Sequence, residues 1–212
     1  MGVVMSAGGS LKWYRDTVGC SQNPVEDAGA YDQLMAEAAA APAGSEGLLF
    51  LPYLTGERTP HVDPQARGGW IGLTARHDRS HMVRAVVEGI TFGLRDALAM
   101  VEALHGVSGP ILVSGGGARS PVWRQIQADI LGRELLTLAE TEGAALGAAM
   151  LAAVGAGHYV NVREAARALI RPTGRTEPDA ARVVQYGEYY EVYRSLYETL
   201  KQTNWALARL SA

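Results

Sequence analysis

Three glycines stand between an apolar run and a capped helix start in Ile111-Leu112-Val113-Ser114-Gly115-Gly116-Gly117-Ala118-Arg119-Ser120-Pro121. A backbone without Cβ atoms turns tightly and lies close against a flat ring or a phosphate. The exposed N–H groups of the helix that follows attract anions. The pattern fits a nucleotide-binding turn, and equally an ordinary strand-to-helix turn that needs glycine for its φ angles. No Lys-Ser/Thr pair follows, so it is not a Walker A loop, and the glycine spacing is not that of a dinucleotide fingerprint. A second glycine-rich helix start, Gly8-Gly9-Ser10, has the same physical character, with Lys12 close enough in sequence to add positive charge beside a phosphate. By itself this start is the weaker signal, and a plain N-cap by Ser10 is the better reading of it taken alone. Two such starts in one chain suit a nucleotide held at both its base and its phosphate ends.

Phosphoryl chemistry would also need a carboxylate to accept a proton and groups to hold a metal. Glu57, Asp63 and Glu88 are the carboxylates nearest the remaining motifs, and loop anchoring or helix-face pairing suits them better than catalysis. No catalytic residue is assigned. His77 and His81 are spaced to share a helix face with Asp78 between them. A metal there would need a third ligand, and residues at a helix start more often cap it or face water. No metal site is assigned either.

The elements that must position these residues alternate. Helices are expected from Leu11 and over 31–41, the latter ending in the breaker run Pro42-Ala43-Gly44-Ser45. A buried strand is expected over 47–54, then a fixed loop rich in Gly and Pro over 55–70. Met82, Ala85, Val86, Gly89, Ile90, Gly93, Leu94, Ala97, Leu98, Val101 and Leu104 follow the i, i+3, i+4 rhythm of a long amphipathic helix. A strand over 110–114 and a helix from Ser120-Pro121 to about Leu131 come next, then a strand over 134–138. An Ala/Gly helix over 143–154 and a shorter one after Asn161 precede a connection over 172–178. A terminal helix presents Tyr186, Tyr189, Tyr190, Tyr193, Tyr197, Leu200 and Leu207 near one face, an aromatic stripe that reads as core packing. The alternation predicts an α/β fold.

Composition narrows the function classes. The 212 residues are 48% apolar and 19% charged with a formal charge of −3, a balance that supports a packed core and lacks the basic face nucleic acid requires. Cys20 is the only cysteine, so no internal disulfide forms and a cytoplasmic setting is the default expectation. No apolar stretch is long enough to span a bilayer, so no membrane partner is expected.

Gly68-Gly69-Trp70-Ile71-Gly72-Leu73, seven residues, then His81-Met82-Val83-Arg84-Ala85-Val86-Val87-Glu88 resembles, without a gap, the long second signature of the FGGY carbohydrate kinases. The preceding loop, Leu51-Pro52-Tyr53-Leu54-Thr55-Gly56-Glu57-Arg58-Thr59-Pro60-His61, is similar to the form seen in xylulokinases. The likeness runs from the Gly8 turn to the Tyr-rich terminal helix. It implies an actin-like (ribonuclease H-like) ATPase domain with a mixed sheet, flanking helices and a C-terminal helix. Residues 1–212 would then be the C-terminal, nucleotide-binding half of an ATP-dependent kinase for D-xylulose. The sugar, the catalytic base and the Mg²⁺ ligands would belong to an N-terminal domain outside this chain.

By the same resemblance Gly8, Gly9, Ser10 and Lys12 border the ATP phosphates, while Gly116, Gly117, Ala118 and Ser120 pack on the adenosine. Related glycerol kinases carry an Asn where this chain has Ser120-Pro121. A cleft wall exposed without its partner domain would favour self-association as a homodimer. The competing readings are a non-catalytic actin-like nucleotide-binding module and a kinase for gluconate, L-ribulose or glycerol. An NAD-dependent oxidoreductase is disfavoured by the missing fingerprint.

Overall fold

The computed structural model describes residues 2–18, 29–106, 108–139 and 143–211. Cys20 lies outside the described residues. The longest interior helix organises the rest. It is α3 (Arg79–His105), and its N-terminus is closed by a capping box in which the Asp78 carboxylate accepts from the backbone N–H of Ser80 and His81. Its apolar stripe, including Val83, Val86, Val87 and Ile90, is almost fully buried. Two helices of the first half, α1 (Ala7–Thr17) and α2 (Ala30–Ala40), pack on it, as does α4 (Pro121–Leu131) of the second. Gly89 sits where α3 crosses β1 (Leu49–Leu51): a Cβ there would stand 2.1 Å from the Phe50 carbonyl oxygen, so only glycine permits this approach.

Strand β1 pairs antiparallel with β2 (Gly69–Ile71). The second sheet is mixed, with β3 (Ile111–Val113) parallel to β4 (Leu135–Leu138), and β4 antiparallel to β5 (Pro172–Thr176). Helices α5 (Gly143–Gly155) and α6 (Val162–Leu169) connect β4 to β5. The chain ends in α7 (Ala180–Leu210), whose Tyr186, Tyr190, Tyr193 and Tyr197 enter the core. The ring of Phe92 on α3 meets Tyr186, Tyr190 and Tyr193 at centroid distances of 6.1, 6.0 and 5.2 Å.

Several expectations need correction. Helix α1 starts at Ala7, not Leu11, so Ser10 is no N-cap. It is fully buried inside the helix with its hydroxyl donating to the Ser6 carbonyl at 2.6 Å. The strand expected over 47–54 shrinks to three residues because Gly44 to Gly47 turns through left-handed backbone and Leu54 begins the next loop. The 172–178 connection contains a strand. Proline is tolerated at its first position because it is paired on one side only. Leu207 is 52% exposed, off the buried stripe of α7.

Two buried carboxylates fix the 52–68 loop. Glu57 Oε1 accepts from the backbone N–H of Met5, Arg58 and Thr59, and Asp63 accepts from the Tyr197 hydroxyl at 3.0 Å and the Trp205 indole at 2.9 Å. Glu57 Oε2 is buried and has no hydrogen-bond partner among the described residues. A third, Glu88, pairs with Arg84 at 2.8 Å on one face of α3, and both touch the Tyr186 hydroxyl.

Removing one member of a buried pair leaves the other charge uncompensated, so Glu88→Ala is expected to cost about 3–5 kcal/mol of unfolding free energy. Tyr186→Phe should cost about 1–3 kcal/mol, both read by urea denaturation. Burial pushes the Glu57 carboxyl above its ordinary value despite the three N–H donors, with the negative charge of Asp96 adding to the rise. The folded state then holds this proton more tightly than the unfolded chain. Stability from Glu57 therefore falls as pH rises from the ordinary glutamate value of about 4.3 through the raised one. The urea midpoint of Glu57→Gln should gain on that of the wild type as pH rises above the ordinary glutamate value; midpoints that stay parallel as pH rises would refute the assignment.

Candidate functional site

A cleft of about 510 Å³ opens between the two helices of the first half and the glycine turn of the second. One wall is α1 and α2, the other is the turn after β3 and the start of α4. Gly8, Gly116, Gly117 and Ser120, from opposite halves of the chain, line this single cavity. Its apolar floor is Leu11, Met35 and Trp123, each less than a tenth exposed.

Local chemistry explains how each wall is held. Gly115 adopts φ +81°, which ends β3 and starts a single 3₁₀ turn over Gly116–Ala118. The Arg124 guanidinium, one turn into α4, donates to the carbonyls of Ala118 and Arg119 at 2.6 and 2.9 Å and so clamps the turn. The Ser120 hydroxyl caps α4 by accepting from the Trp123 N–H at 3.3 Å. The Trp123 indole N–H donates to the Thr91 hydroxyl of α3 at 3.3 Å, which fixes the floor to the central helix. A Cβ on Gly116 would have nothing within 4 Å, whereas one on Gly117 would touch Trp123 and Gln127 at 3.4 Å.

The opposite wall presents the start of α1. Its first N–H groups have no acceptor within the helix. The N-cap residue Ser6 does not cap them with its side chain, because its hydroxyl is bonded to the Thr55 hydroxyl at 2.7 Å. A Cβ on Gly8 or Gly9 would find open space, so an anion can reach the positive end of this helix. Further along, α2 brings Tyr31 and Asp32 to the cleft, and Arg119 stands exposed at its edge.

Not every residue named from the sequence is there. Lys12 does not line the cleft; its ammonium pairs with Asp16 at 3.7 Å, and its side chain is 65% exposed. Gly9 lies next to the cleft without lining it, and Ser10 is turned into the core by its bond to Ser6. Ala118 faces the other side of the turn, into a smaller pocket of about 150 Å³ bordered by Val113, Ser114 and Thr137. Sequence reasoning missed Leu11, Tyr31, Asp32, Met35, Arg119 and Trp123. Leu11 had a signal, standing one turn after Gly8 on the same helix; the α2 residues had none.

Glu57, Asp63 and Glu88 are taken up by the structural bonds described above and do not reach the cleft. His81 belongs to the α3 cap through Asp78 at 2.8 Å, and His77 Nδ1 accepts from the Thr74 N–H at 2.9 Å. Among the described residues no three carboxylate, imidazole or thiolate groups converge. Among the described residues the side chains therefore do not fit a divalent-cation site such as Mg²⁺ would need. Among the described residues no helix is long and apolar enough to cross a membrane.

Comparison with known proteins agrees with this architecture. Residues 1–156 match the FGGY family of carbohydrate kinases, C-terminal domain. The chain is 38% identical over 207 residues to a xylulose kinase of Bacillus subtilis, covering 98% of this chain and 40% of that protein. It is 35% identical over 206 residues to a gluconokinase of the same organism, covering 94% of this chain and 40% of that one. The crystal structure of xylulose kinase from Rhodospirillum rubrum superposes with a TM-score of 0.80 at 34% identity, over 96% of this chain and 40% of that one. The chain thus spans about two fifths of the length of these relatives. With its mixed sheet, flanking helices and long terminal helix, it has the actin-like ATPase fold and belongs to the FGGY family of carbohydrate kinases, matching their C-terminal domain.

Proposed function

We propose that the cleft binds ATP, with the phosphates at the start of α1 and the adenosine against the Gly116-Gly117 turn. The protein to which this domain belongs would then transfer the γ-phosphoryl group to a hydroxyl of D-xylulose. One observation carries the reading: two glycine-rich helix starts from opposite halves of the chain line one cavity. Gly8 and Gly9 offer uncapped N–H groups and no side-chain bulk, which is what a phosphate at a helix start requires. The turn at Gly116 offers bare backbone beside a tryptophan floor, a surface suited to a purine face.

In this proposal the chain's own contribution is binding and orientation. The uncapped α1 start holds negative charge, the clamped turn holds the nucleoside, and the apolar floor excludes water. The group that accepts the sugar hydroxyl's proton is assigned to the part of such kinases beyond the two fifths matched here. The choice of sugar rests on the likeness to xylulose kinases and on the Glu57-Arg58-Thr59-Pro60-His61 loop. A gluconokinase at similar identity makes D-gluconate the specific rival.

Isothermal titration of the purified chain with ATP should show weak binding, and a coupled ADP-release assay with D-xylulose should show no turnover. Robust turnover by this chain alone would refute the division of labour. For a protein that also carries the sugar-binding domain, preference for D-gluconate would overturn the choice of sugar. Within the cleft, Gly116→Val places methyl groups in open space rather than against protein. It should weaken ATP by at least about tenfold with an unchanged urea midpoint. Lys12→Ala removes only an exposed ion pair and should change ATP affinity by less than about twofold. Equal ATP affinity for Gly116→Val and wild type would remove the turn from the site.

A further inference from the structure

The two ends of the first wall of the cleft differ in charge, and the difference orients whatever binds there. On α1, Gly8, Leu11 and Arg15 recur at i, i+3 and i+7, so they form one stripe along the helix. Gly8 and Leu11 line the cleft, and the Arg15 guanidinium lies 4.9 Å from the centre of the Tyr31 ring. Seven residues of helix separate the uncapped N–H groups near Gly8 from Arg15, a rise of about 10 Å. Tyr31 and its neighbour Asp32 therefore stand at the end of the cleft away from the anion-attracting helix start.

Among the described residues Asp32 is the only carboxylate lining this cleft. It is exposed, it caps nothing, and it makes no hydrogen bond or ion pair with the described residues. Beside a phosphate it would add like charge and weaken binding, whereas beside a vicinal diol its two oxygens can accept from both hydroxyls. Tyr31 is 39% exposed and anchored by the Arg15 guanidinium, which leaves a fixed aromatic surface next to the carboxylate. A ring beside a two-oxygen acceptor matches a base joined to its ribose.

Building on the ATP reading above, we propose that Tyr31 and Asp32 are the nucleoside-selecting pair of this cleft. The Tyr31 ring stacks on the base, and the Asp32 carboxylate accepts hydrogen bonds from the ribose 2′- and 3′-hydroxyls. Selection for a ribonucleotide over a deoxynucleotide then comes from α2, and retention of the phosphates from α1.

The test is titration calorimetry of the purified chain and its Asp32→Ala and Tyr31→Leu variants with ATP, 2′,3′-dideoxy-ATP and ITP. Wild type is expected to bind ATP about tenfold more tightly than the dideoxy analogue, the size of a hydrogen bond to a charged group. Asp32→Ala should bring that ratio close to one by weakening ATP alone. Tyr31→Leu should weaken both nucleotides together and keep the ratio. An unchanged ratio in Asp32→Ala, with ATP still bound, overturns this proposal while leaving the ATP reading intact. A change in the ATP to ITP ratio instead would move the carboxylate to the base amino group and overturn the ribose contact. Wild type that binds none of the three refutes the ATP reading itself.

Discussion

The architecture depends on one buried charge pair. The Arg84 guanidinium donates to Glu88 on its own helix, to the carbonyls of Ala38 and Ala41 at the end of α2, and to the Tyr186 hydroxyl of α7. Glu88 in turn accepts from the Gly44 N–H, the Ser45 hydroxyl and Tyr186. Three helices and the turn after α2 thus meet at two residues that are 5% and 1% exposed. Charges so deeply placed are tolerated only when their hydrogen-bonding capacity is met, and here the partners come from segments far apart in sequence. The network therefore fixes where α2 ends relative to α3.

That constraint reaches the cleft through rigid elements. The end of α2 is tied to α3 by Arg84, and the same helix carries Met35, Tyr31 and Asp32 on the way back to its start. The opposite wall is tied to α3 by the Trp123 to Thr91 bond, seven residues beyond Arg84 on the same helix. Both walls are thus referred to one element, and the spacing between them follows from α3. A single clamp, Arg124 on two carbonyls, then sets the turn that faces the first wall. Backbone sites held this way keep their N–H and Cα surfaces in place without large side chains of their own.

How much of this was legible in the sequence follows the range of the interactions involved. The α3 periodicity, the Ser120-Pro121 start and the Gly115 turn are encoded within a few residues, and they appear as read. The family signature was legible because it lies in one short stretch of sequence, part of which builds the Arg84 to Glu88 pair. Strand β5 was not legible, since Pro172, Thr173 and Gly174 carry no strand pattern and the segment pairs only because β4 offers an edge. The α2 wall was hidden for a similar reason. Its apolar positions Leu34 and Ala38 mark the buried face, but nothing local says that Tyr31 and Asp32 meet a turn eighty or more residues later.

Lys12 shows why a residue close in sequence to a helix start can miss the site it seems placed to serve. Relative to Gly8, a residue three positions on is rotated by about 60° to one side of the helix and one four positions on by about 40° to the other. The cleft lies on the Leu11 side, so Lys12 turns away, and Asp16 one further turn along takes its ammonium. The consequence for recognition is that attraction for an anion at this helix rests on uncapped backbone N–H groups, whose orientation is set by the fold, and not on a flexible ammonium. A cation that cannot follow the ligand also cannot blur its register. If ATP binds as proposed, its negative charge would sit within the first turn of α1, and the distance from there to the Tyr31 and Asp32 end would limit the length of nucleotide the cleft accommodates.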